Sequence, residues 1–158
     1  MAAITIKDVL KKAIEMEEAG KIFYEYAAGI IDNEDLRKIM SVLASEEVGH
    51  KHIFENMMHN VENINFSNEK NEYLQYLENY LTTKSVFDRK KFESKKDDIT
   101  NILEALDFAM DREQDSILYY MTLMTIVREE QSHLVQKIIE EERKHFIKLN
   151  KTKDLIKK

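Results

Sequence analysis

The chain has no cysteine, no proline and only three glycines, Gly20, Gly29 and Gly49, in 158 residues. Without cysteine there is no disulfide framework, no thiolate zinc site and no iron–sulfur cluster. Without proline, and with so little glycine, the turn chemistry of a sandwich or barrel is missing. Positive charge is also in deficit: the net charge of −6 weighs against a nucleic-acid partner. A long apolar run is absent too. The longest uncharged stretch, Ser116 to Val127, has 12 residues, too few to cross a bilayer. The start, Met-Ala-Ala-Ile-Thr-Ile-Lys, lacks the basic region and apolar run of a signal peptide. The expectation is a soluble, cytoplasmic chain with no membrane partner, folded as one domain over residues 1–158.

What is present is Glu, Lys, Leu, Ile and Ala, residues that favour long helices, so an all-α fold is expected. Helix A is expected over 5–29, opened by a capping box at Thr5-Ile-Lys-Asp8, with the stripe Ile6, Leu10, Ala13, Glu17, Gly20, Tyr24, Ala27. Gly29 and Asp32-Asn33 mark a turn. Helix B, over 34–58, carries Leu36, Met40, Leu43, Glu47, His50, Phe54, Met57, Val61. Residues 60–98 read as a crossover running the length of a bundle, Asn-rich at 60–68 and charged at 88–98. A short helix sits within it, with Tyr73, Leu74, Leu77, Tyr80 and Leu81 on one face. Helix C, over 98–125, carries Ile99, Ile102, Leu106, Ala109, Glu113, Ser116, Tyr120, Leu123, Val127. A turn within Ile126 to Gln131 leads to helix D, over 131–154, with Val135, Ile138, Glu142, His145, Leu149, Thr152 and Ile156. Its lysine-rich end suits the negative pole of a helix dipole.

Each stripe is apolar except at its middle. Side chains three and four apart share a helix face, so Glu17, Glu47, His50, Glu113, Glu142 and His145 point where the leucines point. The two halves of the chain also repeat. Ala13-Ile-Glu-Met-Glu17 aligns with Ala109-Met-Asp-Arg-Glu113, Phe23-Tyr24 with Tyr119-Tyr120, and Glu46-Glu47-x-x-His50 with Glu141-Glu142-x-x-His145. Glu17 to Glu47 spans 30 positions and Glu113 to Glu142 spans 29. At about 1.5 Å per residue, the chain travels out and returns to one level in each half. Two such helical hairpins pair into a four-helix bundle with six ligand-type side chains in one layer. A third Glu-x-x-His, Glu130 to His133, lies off the helix D stripe and has no repeat counterpart, so it is assigned to the surface or the turn. His52 and His59 lie off the helix B stripe and are read as structural or exposed. Tyr24 and Tyr120 are read first as core aromatics and second as candidates for contact with the ligands. Met40, Met57 and Met110 read as core filler.

Burying carboxylates and imidazoles without partners is costly, and metal ions are the simplest partners. Four carboxylates and two imidazoles suit iron or manganese and can accept zinc. Four negative charges balance two divalent cations, so the layer is expected to become neutral only when filled. A metal-free hydrogen-bonded network is the alternative reading of the same six residues.

At Ala-Ile-Glu-Met-Glu17, Phe-Tyr24, Glu47-x-x-His50, Glu113, Tyr-Tyr120 and Glu142-x-x-His145 the chain resembles the rubrerythrin and ferritin-like di-iron carboxylate family. The resemblance implies a ferritin-like bundle binding two iron ions through those six residues, with Glu47 and Glu142 bridging, Glu17 and Glu113 terminal and one imidazole on each iron. It implies an oxidoreductase, active in oxidative stress, that reduces peroxide or oxygen at an Fe(II) pair and is re-reduced by an external electron donor. A ferroxidase or iron-storage protein without turnover is the alternative, and a metal-free helical interaction module a third. A homodimer is compatible with it, because family members often pair hairpins between chains. Rubrerythrins proper usually carry a rubredoxin domain, which needs cysteines, and none is expected in these residues. The chain also has Ser116 where they carry a second carboxylate after the helix C glutamate, which brings its ligand set closer to the bacterioferritin ferroxidase centre.

Overall fold

The computed structural model describes residues 4–62, 66–83, 93, 99 and 101–158. Helices α1 (Ile6–Ile30), α2 (Glu34–His59), α3 (Asn68–Thr82), α4 (Ile102–Met124) and α5 (Glu129–Lys157) form an all-helical bundle. α1 packs along α2 and α4 along α5, giving the two expected hairpins. Contacts of α1 with α4 and of α2 with α5 join them. No described helix is long and apolar enough to cross a membrane.

Local chemistry sets the helix ends. Thr5 Oγ1 accepts from Asp8 N at 3.2 Å and Asp8 Oδ2 accepts from Thr5 N at 2.8 Å, the capping box expected for α1. Asn33 Oδ1 caps α2 through Leu36 N at 3.1 Å. Asn101 Oδ1 caps α4 through Glu104 N at 3.0 Å, so α4 begins later than residue 98, in the favoured asparagine cap position. α5 begins at Glu129, earlier than residue 131. Glu130 and His133 therefore lie in its first turns, both exposed. Gly29 is helical, and the first turn is confined to residues 31–33.

The expected crossover helix is present as α3. Leu74 and Leu77 are buried in the core, whereas Tyr73 is half exposed and holds Thr122 Oγ1 at 3.3 Å through its hydroxyl. Tyr80 donates to Asp115 Oδ1 at 3.2 Å, and Asn71 Oδ1 accepts from Ile4 N at 3.1 Å. The charged stretch 88–98 lies outside the described residues apart from Glu93.

The core is divided. One apolar cluster holds Leu10, Ala13, Met16, Phe54, Leu77, Tyr120 and Val135. The other holds Phe23, Ala27, Met40, Leu43, Leu106 and Leu149. Between them lies a buried polar layer.

Candidate metal centre

The six glutamates and histidines singled out by the sequence meet in that layer, one pair of positions from each of α2 and α5 and one glutamate from each of α1 and α4. Glu17, Glu47, Glu113 and Glu142 are fully buried, and His50 and His145 nearly so. They form two overlapping groups. Glu17, Glu47, His50 and Glu142 each offer one ligand atom within 4.8 Å of the others, and so do Glu47, Glu113, Glu142 and His145. Glu47 and Glu142 belong to both.

The imidazoles are oriented alike. His50 Nδ1 faces Glu142 Oε1 at 3.2 Å and Glu17 Oε2 at 3.4 Å. His145 Nδ1 faces Glu142 Oε2 at 3.1 Å and Glu113 Oε1 at 3.6 Å. Their rings lie 5.9 Å apart and nearly parallel. Each Nε2 points outward and is held by a glutamate of the opposite hairpin: His50 donates to Glu141 Oε2 at 2.6 Å, and His145 to Glu46 Oε2 at 2.8 Å. A carboxylate behind an imidazole fixes its tautomer and leaves the other nitrogen free to ligate. Glu46 and Glu141 were not recognised from the stripes, because they lie off them. The signal was the doubled glutamate in both copies of the repeat.

The tyrosines cross over in the same way. The Tyr24 hydroxyl donates to Glu113 Oε1 and that of Tyr120 to Glu17 Oε1, so both touch ligand-type carboxylates from within the core.

Arg112 was also missed. Fully buried, it donates from Nη2 to Glu47 Oε2 at 2.6 Å and to the Met16 carbonyl at 3.1 Å, and from Nη1 to Glu113 Oε1 at 3.4 Å. Its cation corrects the expected charge balance. Two divalent ions with four carboxylates would leave this layer with a positive charge in excess, and the metal-free layer already has one fixed counter-charge. The signal lay in the repeat, where Arg112 aligns with the buried Met16.

Crowding of carboxylates and cations in the buried layer shifts their titration. Burial, reinforced by Glu113 and Glu47, pushes the Glu142 carboxyl up to about 7. Burial also raises Glu47 well above the carboxylate range, although Arg112 opposes it. Burial acts against charge on His50 too, but the adjacent carboxylates of Glu142 and Glu17 outweigh it and lift the imidazole to about 12. His145 is lifted to about 11 by Glu113 and Glu142 against the same burial. Glu113, despite burial, is held at about 2 by Glu142, His145 and Arg112. In the metal-free chain, protons do the work of cations. Glu17 Oε2, Glu47 Oε1, His50 Nδ1, Glu113 Oε2 and Glu142 Oε1 are buried and make no aligned hydrogen bond, the contacts of His50 Nδ1 with Glu142 and Glu17 being ion-pair contacts only. Buried polar atoms are rarely left so, and five converging on one layer fit a pair of cations.

The chain is similar to a protein from Thermotoga maritima described as a ferritin-like diiron-carboxylate protein, with 25% identity over 98% of this chain and 97% of that one and a TM-score of 0.69. It shares its fold with a hypothetical protein from Pyrococcus furiosus, with 18% identity over 96% and 90% of the two chains and a TM-score of 0.66. No curated protein matches. The rubrerythrin family model matches residues 8–153, and the chain belongs to the rubrerythrin family.

Proposed function

We propose that the layer binds two metal ions, iron in the first instance, and that the protein is a di-iron oxidoreductase acting on peroxide or oxygen. The observation that carries this reading is the pair of overlapping ligand groups sharing Glu47 and Glu142. Glu47 and Glu142 would be shared by the two ions, Glu17 and His50 would complete the ligands of one, and Glu113 and His145 those of the other. A bound Fe(II) pair would supply electrons and Lewis acidity. The residues supply the rest. Glu46 and Glu141 hold the imidazoles with Nδ1 inward. Tyr24 and Tyr120 hold Glu113 and Glu17 by one oxygen each, leaving the other oxygen for a ligand bond. The two apolar clusters exclude water from either end of the layer.

A ferroxidase reading has one observation in its favour. Ser116 is buried with its hydroxyl unpaired, where rubrerythrins proper carry a further carboxylate. The two readings separate kinetically. The protein is loaded anaerobically with Fe(II) and mixed with hydrogen peroxide or with oxygen, with and without a chemical reductant. Repeated turnover with either oxidant supports the oxidoreductase. A single oxidation followed by accumulation of many irons per assembled particle supports ferroxidase and storage. No oxidation of bound iron by either oxidant overturns both.

A further inference from the structure

The di-metal reading gives no part to Arg112, the largest fully buried side chain among the described residues. Its site is built for it. A Cβ added to Gly20 would fall 1.9 Å from Arg112 Nη2 and 2.2 Å from its Cζ, so only glycine admits the guanidinium there. The Met16 carbonyl takes one N–H, and the Tyr24 ring lies 5.7 Å from Cζ. The internal repeat pairs Met16 with Arg112 and Gly20 with Ser116. Two of the differences between the halves thus meet across the bundle: glycine on α1 opens the space that arginine on α4 fills. A guanidinium does not deprotonate, so the charge is permanent. Its shortest contact is with Glu47 Oε2, an oxygen of a carboxylate common to both ligand groups, with Glu113 Oε1 farther off at 3.4 Å, while Glu47 Oε1 makes no hydrogen bond.

We propose that Arg112 is a built-in counter-cation of the carboxylate layer. It is a positioning residue that holds Glu47 in the metal-free chain and competes with metal for that carboxylate. The inference rests on the di-metal reading above. Two opposed consequences follow. Arg112 supports the metal-free fold, because without it the buried Glu47 and Glu113 carboxylates lose their fixed partner. It also weakens metal binding, because a second divalent cation must approach a resident positive charge and share Glu47 with it. An arginine that merely packed the core would not divide its effects in this way, since its loss would lower stability and affinity together.

The test uses the full chain and Zn(II), which is redox-inert. Wild type, R112M, R112Q and R112K are folded with Zn(II) and then stripped with chelator. Melting of the metal-free proteins and Zn(II) affinity against a chromophoric competitor are measured. The expected result is a lower metal-free melting temperature for R112M and R112Q. Their Zn(II) affinity at the weaker site rises about tenfold or more, the scale of one charge-assisted hydrogen bond no longer competed for. R112K, which keeps the charge, stays near the wild-type affinity. A variant that folds with Zn(II) and unfolds on chelation is the extreme form of the expected result. Unchanged or lower affinity in R112M and R112Q, R112K behaving like R112M, or failure of R112M and R112Q to fold even with Zn(II) overturns the proposal. Failure of the unmodified chain to bind Zn(II) is a separate result: it overturns the di-metal reading itself and the inference with it.

Discussion

Glu46 and Glu141 each reach across the bundle to an imidazole they do not share a hairpin with, and each is about half exposed. Their position makes a specific demand on metal binding. Removing the carboxylate behind a ligating histidine typically costs about 10–100-fold in affinity. E46Q and E141Q are therefore expected to weaken Zn(II) binding by about that factor, each at one of the two sites, as read by competition titration. E130Q, changing an exposed residue of the third Glu-x-x-His, leaves both sites unchanged. At this scale the six central residues were legible because each interrupts an apolar stripe. Glu46, Glu141 and Arg112 were not, for a physical reason. A stripe reports which residues of one helix face the core, but these three act on a neighbouring helix from positions beside the stripe. For Arg112 the reach is long, and the space it needs comes from an absence of side chain at Gly20.

At the scale of elements, the hairpins and their order followed from apolar periodicity, while helix ends moved where a cap decided them. Asn101 caps the start of α4, whereas α5 starts at Glu129 without a side-chain cap, after a turn with no glycine or proline to mark it. α3 was visible from its leucines, but its partners were not, because they come from the start of the chain and from α4. Leu74 and Leu77 pack into the same cluster as Met16, Phe54 and Tyr120, and Tyr73 and Tyr80 meet Thr122 and Asp115 two turns apart on α4, so α3 lies along the bundle and covers that cluster. Leu77→Ala is expected to destabilise the protein by about 2–5 kcal/mol, measured by urea unfolding. It should leave the number of metals bound unchanged, because α3 contributes none of the six residues of the layer. A loss of metal sites in a folded Leu77→Ala protein would show that α3 shapes the centre as well as covering it.

For the whole molecule, the layer ties stability to pH in a way that metal should invert. In the metal-free chain His50 and His145 are raised from 6.5 to about 12 and about 11, and Glu142 from 4.5 to about 7. Raised pKa values mean that the folded chain binds more protons than the unfolded one. Their stabilisation is complete below the unfolded values and is lost as pH rises through the folded ones. Glu113, held at about 2 against 4.5, acts oppositely and is lost only as pH falls below 4.5. Between pH 6 and 8 the raised groups govern, so the metal-free protein is expected to melt at a lower temperature at pH 8 than at pH 6. With saturating Zn(II) the order reverses, because ligation needs neutral imidazoles and ionised carboxylates and so displaces protons. The same downward slope with and without metal would mean that the layer is a proton-bound network alone.

The central claim is that two metal ions take the place of those protons. The most direct test is elemental analysis of metal per chain after anaerobic loading with Fe(II) and removal of loosely held ions, for wild type, Glu47→Ala, Glu142→Ala and Glu130→Ala. The account predicts about two irons per wild-type chain, none retained in the Glu47 and Glu142 variants, and about two in the Glu130 variant. A folded wild-type chain that retains no iron, or equal loss in all three variants, would contradict it.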